Sequence, residues 1–526
     1  MLTTQRSHRG MATAPHFLAA QAGRDILAAG GTALEASIAI AATLAVVYPH
    51  MTGIGGDGFW LIHEPDGSVR AIHGCGRAAA KATPALYAGR TAIPSRGPLA
   101  ANTVAGTLSA WGEILRAPDS RMPLGDLLAP AIGLAREGVA VTPGGAQIAA
   151  DKGAELRGQP GAYAAIFEPD GRPLHAGDIL RQHRLADTFA ILARDGTDSF
   201  YRGALAEMVA DDLAALGSPV SRADLSNHRH TTPAPLTCRI RDARLFNSAP
   251  PTQGLASLLI LALFDRLPPS GADGFAHIHG LVEATKRAFI IRDSVVGDPD
   301  HMPVDAQRIL DNGQALDALA AAISPDRALA WPHAGNSGDT TWFAAADSRG
   351  QVVSAIQSTY FEFGSGLVLP QTGIVWQNRG ASFRLAPDGW NALRPGRLPF
   401  HTLNPALARL DDGRVVAYGT MGGEGQPQTQ AAVFTRYARF GMDLQDAVSA
   451  PRWLLGRTWG EDSPTLKLES RFPPDVVAAL RMAGHDVELL PPFTSTMGHA
   501  GAIVRWPDGT IEGATDPRSD GAAKGY

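Results

Sequence analysis

GNSGDTTWFAAADSRGQVVSAIQS, residues 335 to 358, holds the pattern from which the fold and the chemistry are both read. TTWFAAAD and QVVSAIQS are short runs apolar on both faces, as strands buried between layers are. They flank Ser348-Arg349-Gly350, a three-residue connection in which Gly350 suits the left-handed position of a hairpin loop. If Asp347 faces Gln351, Thr340 falls opposite Ser358. Two hydroxyls side by side at the end of a core hairpin are an odd use of buried strand positions, where cross-strand neighbours normally pack.

A threonine pair such as Thr340-Thr341 is usually structural, and an internal threonine hydroxyl is a feeble nucleophile without an adjacent base. If the bond between Asp339 and Thr340 were cut, the new α-amino group of Thr340 would titrate near ~7.7–8.0 and could take the proton from its own hydroxyl. One residue would then be nucleophile and base. Gly335, Asn336 and Gly338 give the preceding loop the freedom such a cut needs. An oxyanion acceptor is also required. Gly422-Gly423, in VVAYGTMGGEGQPQTQAAVF, follow a strand and precede a helix that is expected to begin near Pro427, so their amides can approach a developing charge. Such a turn is commonly structural, and it gains weight only beside the Thr340 and Ser358 pair.

The chain around this stretch has 526 residues, enough for two domains or one large layered unit. A net charge of -5 argues against nucleic acid and anionic membrane as partners. The two cysteines, Cys75 and Cys238, exclude a disulfide framework and leave a single bridge open. MLTTQRSHRGMATAPHFLAAQAG lacks an apolar signal-peptide core, and ALEASIAIAATLAVVY is too short to span a bilayer, so a cytoplasmic enzyme is the expectation. AQAGRDILAAGGTALEASIAIAATLAVV reads as two helices broken at Gly30-Gly31. The front of the chain is mostly helical. Past Thr340 it turns to strands: TWFAAAD, QVVSAIQS, GIVWQN, ALARL, VVAYGTM, GAIVRW and TIEGA. No repeat or flexible linker separates the halves, so they are expected to share one sheet system.

Three other motifs are set aside. GIGGDG, Gly53 to Gly58, fits a dinucleotide fingerprint, but here a helix precedes it and a strand follows, the reverse of the required order. A tight turn with amides near a site is the better reading. His277 and His279 form H-x-H, yet they lie in a helical pattern where positions two apart diverge. No other His, Cys or Asp cluster has metal spacing, so neither metal nor cofactor is expected. No nucleophile elbow stands at a strand-to-helix junction.

These blocks resemble the γ-glutamyltranspeptidase family, N-terminal-nucleophile hydrolases made as proenzymes. The likeness runs nearly end to end, through GGTALEASIAIAATLAVVYPHMTGIGGDGFWLI, FYRGALAEMVADDL, HGLVEATKRAFIIRDSVVGDP, GDTTWFAAADSRGQVVSAIQS, FGSGLV and GATDPRSDGAAKGY. It implies a four-layer αββα sandwich formed jointly by two autocleaved chains. Residues 1–339 would be the large subunit, and 340–526 the small catalytic one. It further implies cleavage between Asp339 and Thr340, Thr340 as nucleophile, Ser358 as a supporting hydroxyl, and Gly422 and Gly423 as oxyanion donors. A homodimer of heterodimers is left open.

The substrate pocket departs from the transpeptidase pattern. The acid that holds the substrate's α-amino group in transpeptidases is matched by Ser382, the preceding amide by Arg379, and the asparagine after the supporting hydroxyl by Tyr360. The paired serines for the α-carboxylate match His401 and Thr402; the clamping arginine aligns with Cys75, with Arg77 two residues on. An arginine repels an ammonium and favours a carboxylate, so the pocket reads as one for a small acid-bearing amide without an α-amine. The plain alternative is that Arg379 pairs with a nearby Asp or Glu.

WQNRGASF and PFHTLNPA resemble most the oxamate amidohydrolase branch, which implies hydrolysis of oxamate to oxalate and ammonia in purine nitrogen breakdown. The competing readings are a γ-glutamyl hydrolase or transpeptidase, a glutaryl-type acylase, and a non-enzymatic binding protein that keeps the fold. Whether His401 or His499 meets the substrate is left open.

Overall fold

The computed structural model describes residues 2–268, 271–331, 339–456 and 463–526, with Asp339 described by its backbone alone. Gly335, Asn336 and Gly338 lie outside the described residues.

Two sheets are stacked face to face between helices. Thirteen strands build them: β1 Gln5–Ser7, β2 Gly10–Ala14, β3 Asp57–His63, β4 Val69–Gly74, β5 Leu236–Ile240, β6 Ala243–Asn247, β7 Asp339–Asp347, β8 Val352–Tyr360, β9 Ala406–Leu410, β10 Val415–Thr420, β11 Ala500–Arg505, β12 Ile511–Thr515 and β13 Ala522–Gly525. The first sheet runs β13-β2-β7-β8-β3-β4 and the second β1-β12-β11-β10-β9-β6-β5. Each sheet takes strands from before and after Thr340, so neither half can close a sheet alone.

The layering follows from the period of two along each strand. In β7, Trp342, Ala344 and Ala346 join Phe59, Leu407, Ala417 and Ile503 in the core between the sheets. Phe343 and Ala345 point the other way, toward helices α1 Phe17–Ala28 and α2 Ala33–Val47. Helices α3 Gly254–Asp265, α4 Phe275–Val295 and α5 Gly425–Phe434 cover the second sheet. The expected αββα sandwich is present. The indole of Trp342 lies against Gly419 and Gly501, which face each other on β10 and β11; a Cβ would stand 2.1 Å and 2.5 Å from the ring.

Gly30 has φ +93 and ends the turn between α1 and α2, where the sequence breaks. GIVWQN differs from expectation. Val375 and Trp376 make only isolated bridges, because Gln377 and Asn378 turn their amides to the carbonyls of Val104 and Ser95, at 2.8 and 2.7 Å. Helix α5 starts at Gly425, two residues before Pro427. Both cysteines are free and buried. No helix among the described residues is long and apolar enough to cross a membrane.

Candidate active site

Thr340 has the parity of Trp342 on β7, so its side chain belongs to the space between the sheets, and it is fully buried. The β7–β8 hairpin turns through Gly350 at φ +105 and keeps the expected register as far as Gln357 opposite Thr341. There the ladder slips by one: the next pair is Tyr360 opposite Asp339. Ser358 and Thr359 therefore face Thr340 together in a β-bulge, a device that re-aims side chains beside active sites.

The bulge is held from three directions. The Tyr360 N–H donates to Ser358 Oγ at 2.8 Å. Tyr360 carries φ +84, a left-handed conformation that costs a tyrosine roughly 1–3 kcal/mol. From the far side the GIGGDG loop presses in: a Cβ on Gly56 would stand 2.0 Å from the Ser358 carbonyl oxygen, and one on Gly55 2.2 Å from that of Val375. These glycines are there for close backbone approach. α2 precedes the loop and β3 follows it, as expected.

Asp57, inside that loop, faces Ser358 across the β3–β8 ladder. Its Oδ1 accepts from the Gly106 N–H at 2.9 Å, and from the Gly76 N–H and Gln377 Nε2 at 3.2 Å. Its Oδ2 lies 3.4 Å from His401 Nε2. Burial pushes the Asp57 carboxyl up to about 7, against the pull of Arg379 and these donors. His401 is held well below its ordinary pKa by burial, with Arg379 and His73 adding to it, so its ring is neutral.

Arg379 is 1% exposed. Its guanidinium carbon sits 3.7 Å from the centroid of the Tyr360 ring, and Nη1 donates to Thr402 Oγ1 at 3.4 Å. Nε and Nη2, the edge that grips a carboxylate side-on, have no hydrogen-bond partner. Arg379 makes no ion pair with a described Asp or Glu, so the plain pairing alternative is not what the fold builds. Burial lowers it to about 10, and it remains a cation at neutral pH. Ser382 is turned aside, donating to the Phe400 carbonyl at 3.2 Å.

Gly422 and Gly423 leave β10 at φ +114 and +51, ahead of α5. Gln253 ties this turn to the pocket: its Nε2 donates to the carbonyls of Gly423 at 2.8 Å and Thr402 at 2.7 Å. Its Oε1 accepts from Arg292 Nη1 at 2.9 Å, and Arg292 is ion-paired with Glu424 at 3.1 Å.

Contacts thus join Ser358, Tyr360, Arg379 and Thr402, and through Gln253 reach Gly423; Thr340 stands opposite Ser358 in the bulge, and His401 lies by Asp57. Arg77 is not among them. It is partly exposed and engaged with Asp298 at 3.4 Å and Asp300 at 3.5 Å. Cys75, which the resemblance aligns with a clamping arginine, is buried with its thiol pushed up by burial, and the fully buried cation beside it is Arg379, from another segment. His499 contacts the Tyr48 hydroxyl at 3.2 Å. Sequence reasoning missed Asp57, Gln253, Arg292 and Glu424. Only Asp57 left a signal, as the one charge in a glycine run.

His277 and His279 lie on α4, both buried. His277 meets Thr435 Oγ1 at 2.9 Å. His279, Glu283 and His485 form a cluster of possible metal ligands, but their lone pairs are taken. His279 contacts His485 at 2.9 Å and the Ser324 carbonyl at 2.8 Å, and Glu283 is held by Lys286 and Arg287. At 2.9 Å the two imidazole nitrogens stand closer than the roughly 3.3 Å that a tetrahedral zinc with ~2.05 Å bonds would set between them.

Comparison with known proteins identifies the family. The family model described as Gamma-glutamyltranspeptidase matches residues 19–526. The chain is 54% identical over 530 residues, all of both sequences, to the oxamate amidohydrolase proenzyme of Klebsiella pneumoniae subsp. pneumoniae. It is 39% identical over 98% of both sequences to the glutathione hydrolase-like YwrD proenzyme of Bacillus subtilis. The cephalosporin acylase of Bacillus halodurans superposes with a TM-score of 0.92 at 33% identity, covering 100% of this chain and 97% of that one. The chain belongs to the gamma-glutamyltranspeptidase family and is a proenzyme-type hydrolase of amide C–N bonds.

Proposed function

We propose that the protein hydrolyses a small amide bearing a carboxylate and no α-amine, with oxamate as the first substrate to test. The observation that carries this reading is the unpartnered Nε–Nη2 edge of Arg379, buried and without an ion pair. A buried donor left unsatisfied costs about 1–3 kcal/mol, more for a charged group, which a bound carboxylate would recover. An ammonium in the same place would meet a cation, and Asp57, near half-protonated at neutral pH, is a weak counter-ion for it.

In this reading cleavage before Thr340 yields subunits 1–339 and 340–526, held together by their shared sheets. The Thr340 hydroxyl attacks the amide carbon, and its proton passes to the α-amino group. Gly422 and Gly423 N–H groups receive the oxyanion. The C–N bond breaks as the α-ammonium returns the proton to the departing ammonia. Water, deprotonated by the same amine, then hydrolyses the oxalyl ester to oxalate and restores Thr340. The setting is cytoplasmic degradation of purine and allantoin nitrogen, the acyl acceptor is water, and no metal or cofactor takes part.

Ammonia release from oxamate, assayed beside γ-glutamyl and glutaryl anilides, tests the reading; turnover of the γ-glutamyl compound alone overturns it. A glutaryl-type acylase is the second reading, and likeness to the cephalosporin acylase of Bacillus halodurans supports the acylase class. A glutaryl group also presents a carboxylate and no amine.

A further inference from the structure

A row of arginines crosses the second sheet at the end remote from Gly422. Arg239 on β5 faces Arg244 on β6, which in turn faces Arg409 on β9. Arg409 faces Val415 on β10, and Val415 faces Arg505 on β11. Val415 and Thr420 are the two ends of β10, ~17 Å apart at roughly 3.3 Å per residue. The row is therefore separate from the site around Thr340.

Like charges directly opposite one another on neighbouring strands destabilise a sheet. Only Arg239 is answered within the row, by Asp411 at 2.6 and 2.8 Å. Arg244, Arg409 and Arg505 make no ion pair with any described carboxylate. Arg409 donates to the Gly67 carbonyl, and Arg505 Nε is buried without an acceptor. His63 enters from β3 of the opposite sheet, more than nine-tenths buried, and its Nδ1 also lacks a partner. All these groups line one cavity of about 850 Å³. Arg266 joins them there, and Asp311 and Asp411 are the acids present. Arg266 is paired with Asp317 at 2.6 Å and Arg239 with Asp411, which leaves Arg244, Arg409 and Arg505 against Asp311 alone, an excess that a single carboxylate would not neutralise.

We propose that this mouth of the sandwich binds a small, multiply charged oxyanion of the polyphosphate class, with Arg505 and Arg409 as inner donors and Arg244 at the rim. The planar guanidinium forks match phosphate oxygens in pairs. The ligand supplies the countercharge that the row lacks, and so stabilises the packing of the two sheets at this end.

Thermal unfolding of the full chain with phosphate, pyrophosphate, tripolyphosphate or ATP, at ionic strength matched with sodium chloride, tests this. The expected result is a saturable rise of several degrees, larger for tripolyphosphate than for phosphate, retained in Arg379→Met and lost in the double variant Arg244→Gln, Arg505→Gln. The single variant Arg244→Gln, at an exposed position, should weaken the apparent affinity at least threefold. Equal shifts with ATP and tripolyphosphate assign a free polyphosphate chain; a larger shift with ATP assigns a nucleotide. No rise above the chloride control overturns the proposal. So does a rise that survives the double variant or disappears with Arg379→Met, which would move the anion to the active site.

Discussion

Arg379 stacks on Tyr360, Cζ 3.7 Å from the ring centroid, and the stack fixes which of its donors remain to be used. The ring covers one face and Thr402 takes Nη1, so the Nε–Nη2 edge is what the pocket offers. Tyr360 can lie there because the bulge at Ser358 and Thr359 turns its backbone to φ +84.

Replacing Arg379 with Met should leave the fold intact, since it removes a buried charge without orphaning a carboxylate. Losing a charge-assisted pair of hydrogen bonds of about 2–4 kcal/mol predicts a fall in kcat/KM for oxamate of ~30- to ~10³-fold. Arg379→Lys should not restore it, because an ammonium lacks the fork. Steady-state ammonia release measures both, and a variant within threefold of wild type would remove Arg379 from substrate binding.

Thr340→Ala is predicted to give one uncut, inactive polypeptide on a denaturing gel where the wild type gives two. Two fragments from that variant would place the reactive hydroxyl elsewhere.

Asp57 sets a pH dependence whose sign can be worked out. Its folded pKa, about 7, lies above the ordinary 3.8, so the native chain holds a proton that the unfolded chain has released between those values. Stability from this group is full at low pH and drains as pH rises through about 7. Its ionisation also places a negative charge by Arg379, against an incoming anion. The KM for oxamate should therefore rise several-fold from pH 6 to 8, while kcat climbs as the α-amine of Thr340 loses its proton near ~7.7–8.0. Asp57→Asn should flatten the KM profile and keep the rise in kcat. An unchanged KM slope in that variant would disconnect Asp57 from binding.

Gly56→Ala drives a Cβ to 2.0 Å from the Ser358 carbonyl oxygen, a backbone atom that cannot rotate away. A loss of about 1–3 kcal/mol is expected from overpacking, seen as a lowered Tm, together with loss of activity as the bulge shifts. A variant that unfolds like wild type and stays active would show that the loop yields without disturbing Ser358.

Much of this protein is local and therefore legible along the chain. The hairpin of residues 340 to 358 follows from its residues' period and from Gly350, which also set the register up to Gln357. The break between α1 and α2 is written in Gly30. GIVWQN misled because apolar composition resembles a strand, whereas Gln377 and Asn378 are claimed by Val104 and Ser95, far away in sequence.

By itself the sequence determined the β7–β8 hairpin and its register up to Gln357, the break at Gly30 and the glycine turn after β10, since period and backbone freedom are carried by neighbouring residues, while the sandwich was implied by resemblance to a family. The tertiary structure alone decided the bulge that sets two residues against Thr340, the approach of Asp57 to His401, the role of Gln253 between Thr402 and Gly423, and the withdrawal of Arg77 to Asp298. Each depends on groups separated by long stretches of chain. Burial, which raises Asp57 and leaves Arg379 without a counter-ion, exists only once the layers have closed.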